Sequence, residues 1–99
     1  MSLSRVGLLG LGTVGSAVYD QIQTNLWERF EVARASVRDR TKPRPPAIEA
    51  LLCDAEYLVQ ADDVDVVVEV MGGVQPALSL IKLALTQGKR CLLYTSRCV

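Results

Sequence analysis

Arg5–Val18 reads RVGLLGLGTVGSAV. Its first part, Arg5 to Gly10, is a short apolar run that ends in glycine, which fits a buried strand. From Thr13 to Leu26 the pattern changes period. Val14, Ala17, Val18 and Ile22 recur at helical spacing and would form one apolar stripe. Between the two lies Gly10-Leu11-Gly12-Thr13-Val14-Gly15, a match to G-x-G-x-x-G. In a strand–loop–helix setting each glycine has its own task. Gly10 permits the tight turn out of the strand, and Gly12, without a Cβ, lets the backbone approach a ligand. Gly15 lets the helix pack close to the sheet. The helix N-terminus adds unpaired N–H groups and a positive dipole end, which together suit phosphate.

The rest of the chain repeats this alternation. FEVARASVRD (Phe30–Asp39) alternates Val32, Ala33, Ala35 and Val37 with polar residues and reads as a second strand. Pro43, Pro45 and Pro46 make RTKPRPPA (Arg40–Ala47) an extended loop. A weak strand is expected near Leu51–Cys53 and a short helix from Ala55 to Gln60. VDVVVEV (Val64–Val70) carries five valines and ends at Gly72-Gly73. Such a run implies burial on both faces, as in a parallel sheet. QPALSLIKLALTQG (Gln75–Gly88) reads as a helix with Pro76 in its first turn, a Leu78-Ile81-Leu85 stripe and Gly88 at the C′ position. The expected fold is α/β, an incomplete Rossmann-type parallel sheet of four or five strands with helices on both faces.

Composition narrows the function classes. The 99 residues allow one small domain, 49% hydrophobic and 22% charged with formal net charge zero. That neutrality gives no electrostatic reason to expect nucleic acid, and no apolar run approaches the roughly 20 residues that span a bilayer. No secretory signal is read at the N-terminus. Cys53, Cys91 and Cys98 are an odd number without metal-like spacing, so a reducing cytoplasm is expected and no metal site. The absence of histidine removes the commonest general base.

A dinucleotide fold sorts its cofactors at the end of the second strand. There an acid takes the ribose 2′-OH of NAD and an arginine accommodates the 2′-phosphate of NADP. Arg38, Arg40, Lys42 and Arg44 put four cations within seven residues, which favours NADP, while Asp39 keeps NAD open. A solvated basic loop is the competing reading. Gly72-Gly73 ends the valine strand on the same side of the sheet as the first glycine loop, where ligands of open α/β sheets sit. Glu69 reads as a structural carboxylate, and Tyr19, Trp27 and Phe30 read as core or helix-packing residues.

VGLLGLGTVGSAV, ASVRDRTKPRP and DVDVVVEVMGGVQPALSLIKLALTQGK together resemble the N-terminal cofactor domain of homoserine dehydrogenase, over nearly all of residues 5–90. The first motif is shared with many dehydrogenases. The third, a strand followed by Glu-Val-Met-Gly-Gly and a Pro-Ala helix, is much more specific. The resemblance implies a hydride exchange between NAD(P) and aspartate semialdehyde, on the route to threonine, methionine and isoleucine. It implies that Gly10, Gly12 and Gly15 hold the pyrophosphate and that Leu11, Thr13 and Val14 line the loop. Arg38 would read a 2′-phosphate, and Met71, Gly72 and Gly73 would lie along the nicotinamide half. It further implies a small-molecule substrate and a homo-oligomeric parent enzyme. Two alternatives stand beside it: another NAD(P)-dependent amino-acid or semialdehyde dehydrogenase, and a non-catalytic nucleotide-sensing module.

The ending, CLLYTSRCV (Cys91–Val99), departs from the family, which continues with a strand and a Thr-Ala-Asn-Lys motif. The nine residues can be back-translated as TGT CTC TTA TAC ACA TCT AGA TGT GTA, whose centre is an inverted repeat that resembles two transposon mosaic ends joined head to head. The expectation is therefore a cofactor domain over residues 1–90, incomplete, with a foreign tail over 91–99 that could still dock as an edge strand. The substrate domain and every catalytic residue of the family would lie beyond it. Such a chain would bind cofactor without turnover and would be marginal or aggregated in solution.

Overall fold

The computed structural model describes residues 3–71 and 77–93. Strands β1 (Ser4–Leu9), β2 (Phe30–Ser36), β3 (Val66–Glu69) and β4 (Arg90–Leu93) form one parallel sheet in the order β2-β1-β3-β4. Leu52 adds a single parallel bridge to Ala35 on the outer side of β2. The weak strand expected at Leu51–Cys53 is thus reduced to one pairing, flanked by the hydrogen bonds Ala35 N–H to Leu51 O and Cys53 N–H to Ala35 O, both 2.9 Å. Counting that bridge, the strand order is that of a doubly wound dinucleotide fold, with the order reversing between β1 and β3.

The helices are α1 (Thr13–Asn25), α2 (Pro46–Glu49), α3 (Ala55–Leu58) and α4 (Ala77–Thr86). One face of the sheet packs on α3 and α4 through Leu9, Leu58, Val67, Leu80 and Ile81. The other packs on α1 through Val6, Leu8, Ile22, Val32 and Ala35. β1 is therefore buried from both sides, as a parallel strand between two helical layers must be. Arg34 ties β2 to α3 and the turn beyond it. Its Nε donates to Asp63 Oδ1 at 2.8 Å, and its guanidinium lies 4.8 Å from the Tyr57 ring centroid.

Several expectations are corrected in detail. The valine run is a strand only over Val66–Glu69; Val64 is buried in the preceding turn, where its N–H donates to Ala61 O. The proline loop gives way at Pro46 to α2, because proline suits a first helical position. The buried stripe of α4 is Leu80, Ile81 and Ala84, while Leu78 and Leu85 face solvent. Trp27 is exposed, not core. Pro76 lies outside the described residues. Gly88 does close α4: with φ +80° its N–H bonds Leu85 O and the Lys89 N–H bonds Ala84 O, the paired pattern of a left-handed helix stop. Lys89 Nζ then donates to Ala61 O at 2.7 Å and Val64 O at 2.8 Å, locking the approach to β4 onto the turn before β3. Residues 91–93 belong to β4, and 94–99 lie outside the described residues.

The described residues cover the α1 face only in part. Among the described residues, Val14, Val18, Val66, Val68 and Leu92 line an open apolar groove of about 430 Å³ beside α1, and β4 is the edge strand with Leu92 and Leu93 exposed. Exposed apolar area next to an unpaired edge favours self-association. Sedimentation of the 99-residue chain is expected to show concentration-dependent association that Leu92→Lys relieves. A monomer at every concentration would contradict this.

Candidate cofactor site

The carboxyl ends of β1, β2 and β3 open onto a cleft of about 400 Å³. Its floor comes from the glycine loop, and the three glycines differ in what they face. Gly10 has φ +110°, a left-handed conformation that L side chains rarely adopt. Its N–H donates to Ser36 O at 2.9 Å, so the turn is pinned to the end of β2. A Cβ on Gly15 would lie 2.2 Å from Gly10 O, which fixes α1 against the loop. A Cβ on Gly12 would meet nothing within 4 Å. The protein itself therefore gives no reason for glycine at position 12, whereas a ligand approaching the backbone there does.

α1 starts at Thr13 without a side-chain cap and with no acid in its first turn. Its first N–H groups are left for an anion, and no carboxylate competes for them. Ser16 bonds locally: its N–H reaches Gly12 O at 2.9 Å and its hydroxyl reaches Leu11 O at 3.0 Å.

The opposite wall is basic. Arg38, Arg40, Lys42 and Arg44 all line the cleft. Arg40 Nη1 is 3.8 Å from Asp54 Oδ1, a contact between exposed groups, while Arg38 and Lys42 form no ion pair among the described residues. The Asp39 carboxylate is turned onto its own loop. Its Oδ1 accepts the Thr41 N–H at 2.9 Å and, closely, the Thr41 hydroxyl. Those two hydrogen bonds hold the Asp39 carboxyl below the usual carboxylate range. Asp39 thus shapes the turn that carries the cations.

At the third corner, Glu69 ends β3. Its side chain is buried and its Oε2 accepts the Met71 N–H at 2.8 Å, fixing Met71 where the strand leaves the sheet. Met71 Cα would lie 3.3 Å from a Cβ on Gly10, so the glycine loop and the end of β3 are in contact.

Of the residues singled out from sequence, Gly10, Leu11, Gly12, Arg38 and Met71 meet in this cleft. Thr13 begins α1 beside Gly12, and Gly15 is buried in its first turn. Val14 is the exception: it lines the apolar groove and is not in the cleft wall, because the first helical turn rotates it toward the sheet. Gly72 and Gly73 lie outside the described residues. Sequence reading missed Ser36, Cys53 and Asp54, which also line the cleft. Asp54 precedes α3 as its N-cap position, just after the Leu52 bridge to β2. Burial pushes the Cys53 thiol above its ordinary value, so it is not an activated nucleophile.

Acid sensitivity follows from the carboxylates behind the site. The Arg34 hydrogen bond holds Asp63 below its ordinary pKa, and the Arg5 N–H does the same for Asp65. A depressed folded-state pKa stabilises the fold above the unfolded value of about 3.9, and that contribution is lost as pH falls through the folded-state value. With no histidine in the chain, stability is expected to be flat across neutral pH and to fall below roughly pH 4. Asp65→Asn should flatten that acid limb in a pH series of thermal melts.

Comparison with known proteins agrees with the geometry. The family profile described as homoserine dehydrogenase, NAD binding domain, matches residues 10–96. A homoserine dehydrogenase of Synechocystis sp. is 43% identical over 94 residues, 86% of this chain and 21% of the relative. One from Corynebacterium glutamicum is 37% identical, over 85% of this chain and 21% of its own length. The crystal structure of S. aureus homoserine dehydrogenase at pH 7.0 superposes with TM-score 0.86 at 31% identity, covering all of this chain and 28% of that one. The chain spans about a fifth of the length of the curated relatives it matches. With a profile match over most of its length, the chain belongs to the homoserine dehydrogenase family, in its NAD-binding domain.

Proposed function

We propose that this chain is the cofactor-holding part of a homoserine dehydrogenase, an oxidoreductase that interconverts homoserine and aspartate 4-semialdehyde, and that it prefers NADP to NAD. The observation that carries the reading is the empty space in front of Gly12, set between the uncapped start of α1 and a basic wall. Gly10, Gly12 and the first N–H groups of α1 would hold the pyrophosphate. Arg38 and Lys42 would take the 2′-phosphate, since neither is engaged by a carboxylate among the described residues. Asp39, occupied by Thr41, is poorly placed to serve as the acid that selects NAD. Met71 would lie along the nicotinamide half. When bound, the cofactor would give or accept the hydride; the protein supplies position and electrostatics.

The reaction in the whole enzyme also needs a homoserine-binding site; the residues of this cleft would bind and orient the cofactor. The whole enzyme is proposed to act as a homo-oligomer in the cytoplasm, in the synthesis of threonine, methionine and isoleucine. No described helix is long and apolar enough to cross a membrane.

Calorimetric titration of the purified chain with NADPH and NADH tests the reading. Saturable uptake, tighter for NADPH, is expected. Failure to take up either would overturn it, and a preference for NADH would overturn the NADP assignment.

A further inference from the structure

Among the described residues, Glu69 is the only charged side chain that the fold buries, at 6% exposed. It closes β3, whose other residues are valines. It pairs in register with the fully buried Leu9 and follows Val67 by two, so it falls on the face that α3 and α4 cover. No cation pairs with it among the described residues. A carboxyl group buried without a countercharge is unfavourable, and for stability alone an apolar residue would suit this position better.

What the carboxylate holds is the end of the strand. The Val70 N–H donates to Leu9 O at 3.0 Å, and β1 then turns away at Gly10. Glu69 supplies the acceptor for the next N–H, that of Met71, at 2.8 Å. Met71 rests on the glycine loop: a Cβ on Gly10 would lie 3.3 Å from Met71 Cα and 3.3 Å from Met71 Cγ. Gly10, Val70 and Met71 all line the cleft, whereas Glu69 stands outside its wall.

We propose that Glu69 is a positioning residue for hydride transfer: through the Met71 N–H it fixes the end of β3 against the glycine loop, and so orients the nicotinamide half of the cofactor. The proposal rests on the dinucleotide reading of the cleft, with Met71 along the nicotinamide half. A charged acceptor holds an N–H more firmly than a neutral one. Hydride transfer asks for that firmness, because a small misplacement of the reacting atoms slows a reaction greatly. The adenosine half, held at the start of α1 and by the basic loop, does not depend on Glu69.

The test titrates the purified chain with NADPH and with 2′,5′-ADP, which lacks the nicotinamide half. Glu69→Met keeps the length of the side chain and removes the oxygen acceptor. It is expected to weaken NADPH roughly 10-fold, as for a lost hydrogen bond to a charged group, and to leave 2′,5′-ADP unchanged. Glu69→Gln, whose amide oxygen can still accept the Met71 N–H, should stay within about threefold of wild type for both. At saturation, wild type and Glu69→Gln should shift the emission of the reduced nicotinamide, while Glu69→Met should leave it as in free NADPH. Glu69→Leu repeats the test with a second apolar side chain, and thermal melts accompany every variant. NADPH and 2′,5′-ADP weakened alike, neither weakened, or Glu69→Gln as weak as Glu69→Met would overturn the role of Glu69 and leave the site standing. Unfolding of both apolar variants would assign Glu69 to the fold and overturn the role as well. Failure of the unaltered chain to bind NADPH or 2′,5′-ADP would overturn the reading of the cleft itself.

Discussion

Gly12→Ala is expected to leave the melting temperature of the chain nearly unchanged and to cost it at least roughly 100-fold in dinucleotide affinity, about two charge-assisted hydrogen bonds' worth. Gly15→Ala, three residues along, should do the reverse first: destabilise the fold by about 3 kcal/mol or more, the upper range for overpacking. The contrast comes from what a methyl group would meet. At Gly12 it meets open space, and the backbone there, φ −75° and ψ −153°, is accessible to alanine. Alanine restricts the unfolded chain as well, so stability should hold or rise slightly. The methyl would, however, stand where phosphate oxygens must come to reach the N–H groups of α1. At Gly15 it lies 2.2 Å from Gly10 O and 2.9 Å from Gly10 C, both backbone atoms that cannot rotate aside. Far-UV circular dichroism melts and calorimetric titration with NADPH separate the two outcomes. Equal affinity in Gly12→Ala would remove the main support for a bound pyrophosphate.

The same contrast shows what the sequence could convey. A glycine motif is local: strand, turn and helix lie within a dozen residues, and their periods are visible without knowing the neighbours. The crossover pattern likewise predicts parallel strands and two helical layers, and both are found. Which face a residue takes is harder to read. In β2 the register slips between Val6 and Gly7, so that Val32 pairs with Val6 and Arg34 with Gly7, leaving Ala33 as an extra residue. Val32 and Ala35 then share the α1 face although they are three apart, a spacing simple alternation forbids. The slip sets which face Ser36 presents at the end of the strand. Nothing in FEVARAS marks it. α4 fails to be read for another reason. ALSLIKLALT is apolar at most positions, so Leu78-Ile81-Leu85 and Leu80-Ile81-Ala84 are equally good stripes, and only the position of the sheet chooses between them. Asp39 was visible as an acid near the right place, but its capture by Thr41 depends on the turn. One signal for the missed Ser36 was present: a hydroxyl closing an otherwise apolar strand end, two residues before the first cation.

Arg38→Glu is expected to weaken NADPH by at least about 100-fold and NADH by less than about threefold, a reversal of preference from one side chain. A guanidinium meets a phosphate with two parallel N–H bonds, so its loss removes two charge-assisted contacts, and the glutamate adds repulsion. Arg38 is the cation nearest the strand end that makes no ion pair among the described residues; Arg40, closer to Asp54, is partly compensated already. Arg40→Ala should therefore cost NADPH only a few-fold, since an exposed pair carries little energy. Salt provides an independent check. If the selectivity is electrostatic, NADPH affinity should fall steeply between low and moderate ionic strength while NADH affinity falls less, and Arg38→Glu should abolish the difference in slope. Should NADPH binding survive Arg38→Glu and fail in Lys42→Glu, the phosphate sits further along the basic loop, beyond the turn that Asp39 and Thr41 hold, and the turn itself would then be the specificity element.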